Sequence, residues 1–175
     1  EFGGWQAPFI EDASGEVMFE APRHMDALLL GRSTYDIFSS YWPNAPQDIS
    51  FTGLLNGVPK YVASCTLSDP LSWQHSSVLD GDLAEQVAAL KDRHEQVHVI
   101  GSLDLLQSLL DACLVDRLNL WVYPIVLGTG KRVFEPGVAP TAFRIDGSTT
   151  YPGGTVHLEL VADGTQQVGD MTQLD

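Results

Sequence analysis

Apolar positions along the chain fall into short unbroken runs and longer one-sided patterns, and the two kinds alternate. Ala27-Leu28-Leu29-Leu30 is unbroken and stops at Gly31, which predicts a strand buried on both faces of a sheet. Ahead of it, residues 11–25 have helical character, with Val17, Met18 and Phe19 apolar and Pro22 ending or bending the helix. A second helix opens near Ser33-Thr34, carries Tyr35, Phe38 and Trp42, and stops at Pro43. Lys60-Tyr61-Val62-Ala63-Ser64 reads as the next strand, preceded by the helix-ending or turn pair Asn56-Gly57, and Ser77 to Leu79 is the candidate for a third. Asp82 is placed to cap a helix reaching His94, because Leu83, Val87 and Leu90 recur on one face. Val97 to Ile100 follows as a strand. Gly101-Ser102 then leads into a helix with Leu105, Leu106, Leu109, Leu110 and Cys113 on one face and Ser102 as its N-cap.

Beyond this helix the grammar changes. Arg117 to Leu127 is a long strand region in which Pro124 marks a bulge or an edge, and Thr155 to Val161 alternates apolar and polar positions. Alternating strands and helices followed by antiparallel strands predict a three-layer α/β domain with a mostly parallel sheet and an antiparallel C-terminal edge. With no repeat or linker in the pattern, residues 1–175 read as one domain with a polar tail over residues 164–175. A chain of that length buries ~70% of its extended surface on folding, enough for a real core. The 44% hydrophobic and 18% charged content argues against a disordered chain.

Charge narrows the partners. Nine Lys+Arg stand against 23 Asp+Glu, a formal net charge of -14, so nucleic acid and anionic membranes are repelled over most of the surface. Neither is expected as a partner, and an anionic ligand must find a local positive spot. Cys65 and Cys113, read as a strand end and a helix interior, give no disulfide framework and no four-thiol zinc site. No apolar stretch approaches the ~20 residues of a membrane span, and Glu1 to Trp5 lacks the regions of a signal peptide, so a reducing cytoplasm is the expected location.

Three segments carry candidate chemistry. His94-Glu95-Gln96-Val97-His98 matches the zinc-hydrolase pattern H-E-x-x-H, but that chemistry needs both imidazoles on one helical face. Here the segment straddles a helix end and a strand, which separates the rings, so no metal is expected. Leu127-Gly128-Thr129-Gly130-Lys131-Arg132 fails the spacing of a phosphate loop and reads as a tight turn whose two cations either contact an anion or face water. Gly31-Arg32-Ser33-Thr34 directly follows a buried strand and opens a helix. Gly lets a ligand approach the backbone, first-turn N–H groups and the Thr hydroxyl suit phosphate oxygens, and Arg32 supplies the missing charge. Gly101-Ser102 repeats the arrangement, and two such junctions at the C-terminal ends of neighbouring parallel strands would cradle a pyrophosphate.

Taken in order, Gly31-Arg32-Ser33-Thr34-Tyr35, Lys60 to Ser64 with Thr66-Leu67, Ile100-Gly101-Ser102, Leu114-Val115-Asp116, Pro124 to Gly128 and Gly130 to Phe134 resemble the dihydrofolate-reductase-like superfamily. The nearest branch is the C-terminal reductase domain of the riboflavin-biosynthesis deaminase-reductase (RibD C-terminal-like), and the resemblance covers roughly residues 4 to 160. It implies the dihydrofolate reductase fold, a homodimer with the strand region 118–127 facing its partner, and hydride transfer from NADPH to a small pteridine- or pyrimidine-like heterocycle. Gly31, Arg32, Ser33 and Thr34 would then hold the cofactor pyrophosphate, Ser64 its adenosine side, and Gly101, Ser102 and Leu103 would complete the cradle. The family's zinc-deaminase half needs a Pro-Cys-x-x-Cys ligand set that Cys65 and Cys113 cannot supply.

Departures from the family qualify this. The superfamily opens with a strand and a Ser/Thr-Leu-Asp-Gly turn, and the chain begins after that point, so a domain lacking the first strand is expected. Where the family often has an Arg for the 2'-phosphate of NADPH, Cys65 stands after Ser64, which leaves NADH as a possible cofactor. Asp104 beside the cradle either disfavours phosphate or complements the helix dipole. Dihydrofolate reductases place a carboxylate shortly after a Trp-x-x-Pro segment. Trp5-Gln6-Ala7-Pro8 followed by Glu11 and Asp12 offers that carboxylate one or two residues out of register, with Trp5 in the substrate pocket. Either Glu11 or Asp12 relays a proton, or both only begin a helix. Two further functions stay open: a dimeric small-molecule- or nucleotide-binding protein of this fold without turnover, and a zinc hydrolase using segment 94–98.

Overall fold

Leu28, Leu29 and Leu30, all essentially without solvent exposure, set the middle of the molecule. The computed structural model describes residues 4–100 and 102–169. Four parallel strands, β1 (Ala27–Gly31), β2 (Lys60–Ala63), β3 (Ser76–Leu79) and β4 (Val97–Val99), lie in the order β3-β2-β1-β4. Side chains alternate across β1. Leu28 and Leu30 pack with Val62, Tyr35, Phe51, Leu55 and Trp73 on one face, and Leu29 packs with Val87, Leu90, Leu105 and Leu109 on the other. The first face is covered by α2 (Arg32–Tyr41) and α3 (Ser50–Gly57), the second by α4 (Leu83–Arg93) and α5 (Leu103–Asp111). This is the three-layer arrangement the sequence predicts.

The C-terminal strands β5 (Arg117–Val122), β6 (Thr141–Thr150) and β7 (Val156–Thr165) are antiparallel as expected, hydrogen-bonded in a sheet of their own with the order β5-β7-β6. Trp121 and His157 face each other across β5 and β7 and stack at 4.2 Å. Strand β7 takes in Gly164 and Thr165, the first two residues of the segment read as a tail. Two other expectations change. Cys113 lies past the end of α5, exposed and in left-handed backbone (φ 55), because α5 stops at Asp111. Helix α3 is additional: Gly53 interrupts an apolar pattern only eight residues long, too short for a clear period, although Asn56-Gly57 does end it. The helical stretch after Glu11 divides as Pro22 requires, into α1 (Asp12–Glu20) and a 3-10 turn over Ala21–His24.

The end of α3 is closed by a buried cation. Lys60 opens β2 with no solvent exposure, and its Nζ donates to the carbonyls of Leu55 and Val58, both at 2.8 Å, and of Asn56 at 3.4 Å. Trp73 covers it, with the ammonium 4.5 Å from the ring centroid, while the indole N–H donates to Asn56 Oδ1 at 2.6 Å. Carbonyls left over at a helix C-terminus need donors, and here one side chain serves three. Burial lowers the Lys60 pKa from 10.5 to about 8.

Replacing Lys60 with Met strands these carbonyls, so Lys60→Met is expected to lower unfolding free energy by about 2 to 4 kcal/mol in urea titrations. A pH dependence follows as well. Between pH 8 and 10.5 the unfolded chain keeps the Lys60 proton that the folded one has released, so stability rises with pH there. The rise should be about 2 kcal/mol, flatten above pH 10 where burial of the Tyr123 hydroxyl acts in the opposite sense, and be absent in Lys60→Met.

Candidate functional site

Strand β1 passes into α2 without an intervening residue, and β4 reaches α5 through three. Because β1 and β4 are parallel neighbours, both helices start at the same end of the sheet. Ser102 ties the two junctions together. Its Oγ accepts the Gly31 N–H at 2.9 Å and donates to Thr34 Oγ1 at 2.7 Å. A Cβ on residue 31 would stand 3.1 Å from that oxygen and 3.2 Å from the Ser102 Cβ, so the contact depends on Gly31.

Ser102 does occupy the N-cap position of α5, but contrary to the sequence expectation its hydroxyl makes no capping bond there. The residue is held in left-handed backbone (φ 63, ψ 63), which turns the hydroxyl toward β1. Gly31, as N-cap of α2, has no side chain to cap with. Both helix starts therefore present backbone N–H groups without side-chain caps, each at the positive end of a helix dipole.

These starts border a cavity of about 800 Å³. Gly31, Arg32, Ser33 and Thr34 line it from one junction and Ser102, Leu103 and Asp104 from the other. It continues across the end of β2, at Ala63, Ser64 and Cys65, to the end of β3, at Leu79, Asp80 and Gly81. The Ser64 hydroxyl accepts the N–H groups of Thr66 and Leu67 at 3.2 and 3.1 Å and so shapes the turn after β2. Two cations face the cavity, each with a carboxylate partner. Arg32 lies on Asp36 (3.3 Å) and the Thr66 hydroxyl, and Lys131 on Asp104 (2.9 Å). These exposed pairs are weak in water, so an anion can compete for either cation.

Seven of the residues singled out by sequence thus share one cavity: Gly31, Arg32, Ser33, Thr34, Ser64, Ser102 and Leu103. Gly101 lies outside the described residues. Trp5, Glu11 and Asp12 do not line it. Glu11 is the N-cap of α1, its N–H donating to Ser14 Oγ at 3.0 Å, and Asp12 stands in the first turn. Trp5 packs edge-on against Tyr123 at 5.2 Å, beside Phe9. The sequence pattern does not single out Asp80, which directly follows the last residue of the third parallel strand, Leu79.

The H-E-x-x-H segment is divided as expected. His94 is the C-cap of α4 with its Nε2 3.0 Å from the Tyr61 hydroxyl, whereas His98 is in β4. Asp26 accepts the N–H groups of Glu95 and Gln96, each at 2.9 Å, and fixes the turn between them. Among the described residues no group of three or more His, Cys, Asp and Glu side chains is arranged to hold a metal ion.

A parallel α/β sheet with uncapped helix starts beside its strand ends, followed by an antiparallel sheet, defines a dihydrofolate-reductase-like domain. Residues 6–157 match the family described as the RibD C-terminal domain, and the chain belongs to that family. It is 26% identical over 163 residues to the uncharacterized protein YyaP of Bacillus subtilis (strain 168), covering 86% of each. Among solved structures it is similar to a protein provisionally named for riboflavin biosynthesis from Shewanella sp. PV-4, with a TM-score of 0.66 and 19% identity over 88% of this chain and 81% of the other. It is also similar to a pyrimidine reductase-like protein from Corynebacterium diphtheriae, with a TM-score of 0.61 and 13% identity over 89% and 83%. Identities this low establish the shared fold.

The clasp gives a mutational signature. Gly31→Ala should cost about 1 to 2 kcal/mol in chemical denaturation through the crowded Ser102 contact, and clearly less in a Ser102→Gly background. Equal costs in both backgrounds would exclude the contact as the cause.

Proposed function

We propose that the chain is a reductase that binds a nicotinamide dinucleotide across the two helix starts and serves hydride transfer to a small pteridine- or pyrimidine-like heterocycle. The observation that carries this reading is the Ser102 clasp, which brings two uncapped helix N-termini to one wall of an 800 Å³ cavity. Cavities of about 300 to 1,000 Å³ hold cofactor-sized ligands, and helix N-termini at the C-terminal ends of parallel strands are suited to a pyrophosphate. The residues present fit the group. Family membership supports a reductase, and the name of the pyrimidine reductase-like relative supports the substrate class.

Such a cofactor, when bound, supplies the hydride. The chain's own part is positioning. First-turn N–H groups of α2 and α5 would hold the phosphates, Arg32 would leave Asp36 to meet them, and Ser33 and Thr34 would add hydroxyls. Trp5, Glu11 and Asp12 stand outside the cavity, and the reading assigns them no proton transfer.

Isothermal titration with NADH, NADPH and ADP-ribose tests the reading. At least one dinucleotide should bind, and Arg32→Ala should weaken ADP-ribose about tenfold at low salt, less at high salt. Absence of binding by all three would sink it. Binding without oxidation of NADH or NADPH across a pterin and pyrimidine panel would favour the non-catalytic binding protein instead.

A further inference from the structure

The cavity has two chemically different ends. At β1 and β4 it is walled by helix starts and by Arg32, and at β3, two strand spacings or ~10 Å away, it is closed by Leu79, Asp80 and Gly81. A dinucleotide whose pyrophosphate lies on the helix starts has one nucleoside within reach of that far end. The Asp80-Gly81-Asp82 turn places a free acid there. Gly81 takes a positive φ of 99°, and Asp82 is committed to capping α4 through the Glu85 N–H at 3.0 Å. The Asp80 carboxylate makes no hydrogen bond or ion pair with any described side chain or backbone group.

Among the described residues no cation balances this acid. Of the residues lining the cavity only Arg32 and Lys131 are cationic, and each already carries a carboxylate. At the end of β2, between the two ends, stands Cys65 and not a basic residue. We infer that Asp80 is a specificity-determining residue, which selects a dinucleotide whose adenosine ribose carries free 2' and 3' hydroxyls over one bearing a 2'-phosphate. A carboxylate accepts two hydrogen bonds from a vicinal diol, whereas a phosphate dianion meets it as a like charge without a counterion. This rests on the dinucleotide reading above and settles which dinucleotide: NADH in preference to NADPH.

The test is calorimetric titration of the full chain with NADH, NADPH, ADP-ribose and 2'-phospho-ADP-ribose, so that the adenosine end is read independently of turnover. NADH and ADP-ribose should each bind about tenfold or more tighter than their 2'-phosphorylated counterparts. Asp80→Asn should narrow that ratio to about threefold or less, and Cys65→Arg combined with Asp80→Asn should invert it. Equal or tighter binding of the 2'-phosphorylated ligands by the unaltered protein would overturn the inference while leaving the dinucleotide reading intact. So would a preference for NADH that neither variant alters. Failure of all four ligands to bind would instead remove the dinucleotide reading, and this inference with it.

Discussion

The hydroxyl of Ser102 joins two strand-to-helix junctions that lie 71 residues apart in the chain, and the geometry of the candidate site depends on it. Two bonds from one oxygen, to Gly31 and to Thr34, fix how α2 and α5 approach each other. Holding Ser102 in left-handed backbone costs about 1 to 2 kcal/mol, which hydrogen bonds of this kind offset. The same bonds take the hydroxyl away from the helix it would otherwise cap. Glycine on the other side of the clasp has no capping group to offer. Local helix stability is thereby given up at two places that face one cavity.

This arrangement matters more in a chain of net charge -14 than it would in a neutral one. Backbone N–H groups supply positive potential without adding a cation that nearby carboxylates would neutralise. Arg32 and Lys131 illustrate the alternative, since Asp36 and Asp104 already hold them. Lys60 is a cation of another kind. Sealed beneath Trp73 and bound to three carbonyls, it joins the end of α3 to β2 and plays no part in the cavity.

What the sequence made legible was local. The run Ala27 to Leu30 specifies a doubly buried strand, and Gly31 followed by Arg32-Ser33-Thr34 specifies its passage into a helix, because each signal is complete within a few residues. The partner of Ser102 is set by the pairing of β1 with β4, and no local pattern carries that information, so the sequence by itself predicts only a cap. Lys60 was hidden for a similar reason: a lysine opening an apolar strand reads as a solvated end until α3, itself too short to show a period, is folded over it. Asp80 carries no signal of its own although its strand is predicted, because only the strand order places the end of β3 next to that of β2 and two strands from that of β1. Glu11 and Asp12 fit the helix-start alternative in their position, with Ser14 answering Glu11 across the first turn.

The two motifs that match known patterns differ in what each demands of the fold. H-E-x-x-H requires one unbroken helix so that imidazoles four residues apart share a face. Here the β-type run beginning at Val97 competes for the same residues. Strand pairing of Val97, His98 and Val99 with Ala27, Leu28 and Leu29 wins because it seats β4 against the most buried strand of the protein. Asp26, immediately before β1, then accepts the N–H groups of Glu95 and Gln96. Burial opposes its charge, but these two bonds and the nearby His94 hold its carboxyl below the ordinary value. The segment becomes a latch between a helix end and a strand start. Gly31-Arg32-Ser33-Thr34 asks only for a strand followed directly by a helix, and the apolar pattern on either side of it already specifies both. A short motif is informative when its geometric requirement agrees with the periodicity around it, and here that agreement separates the residues that line the cavity from those that only resemble a site.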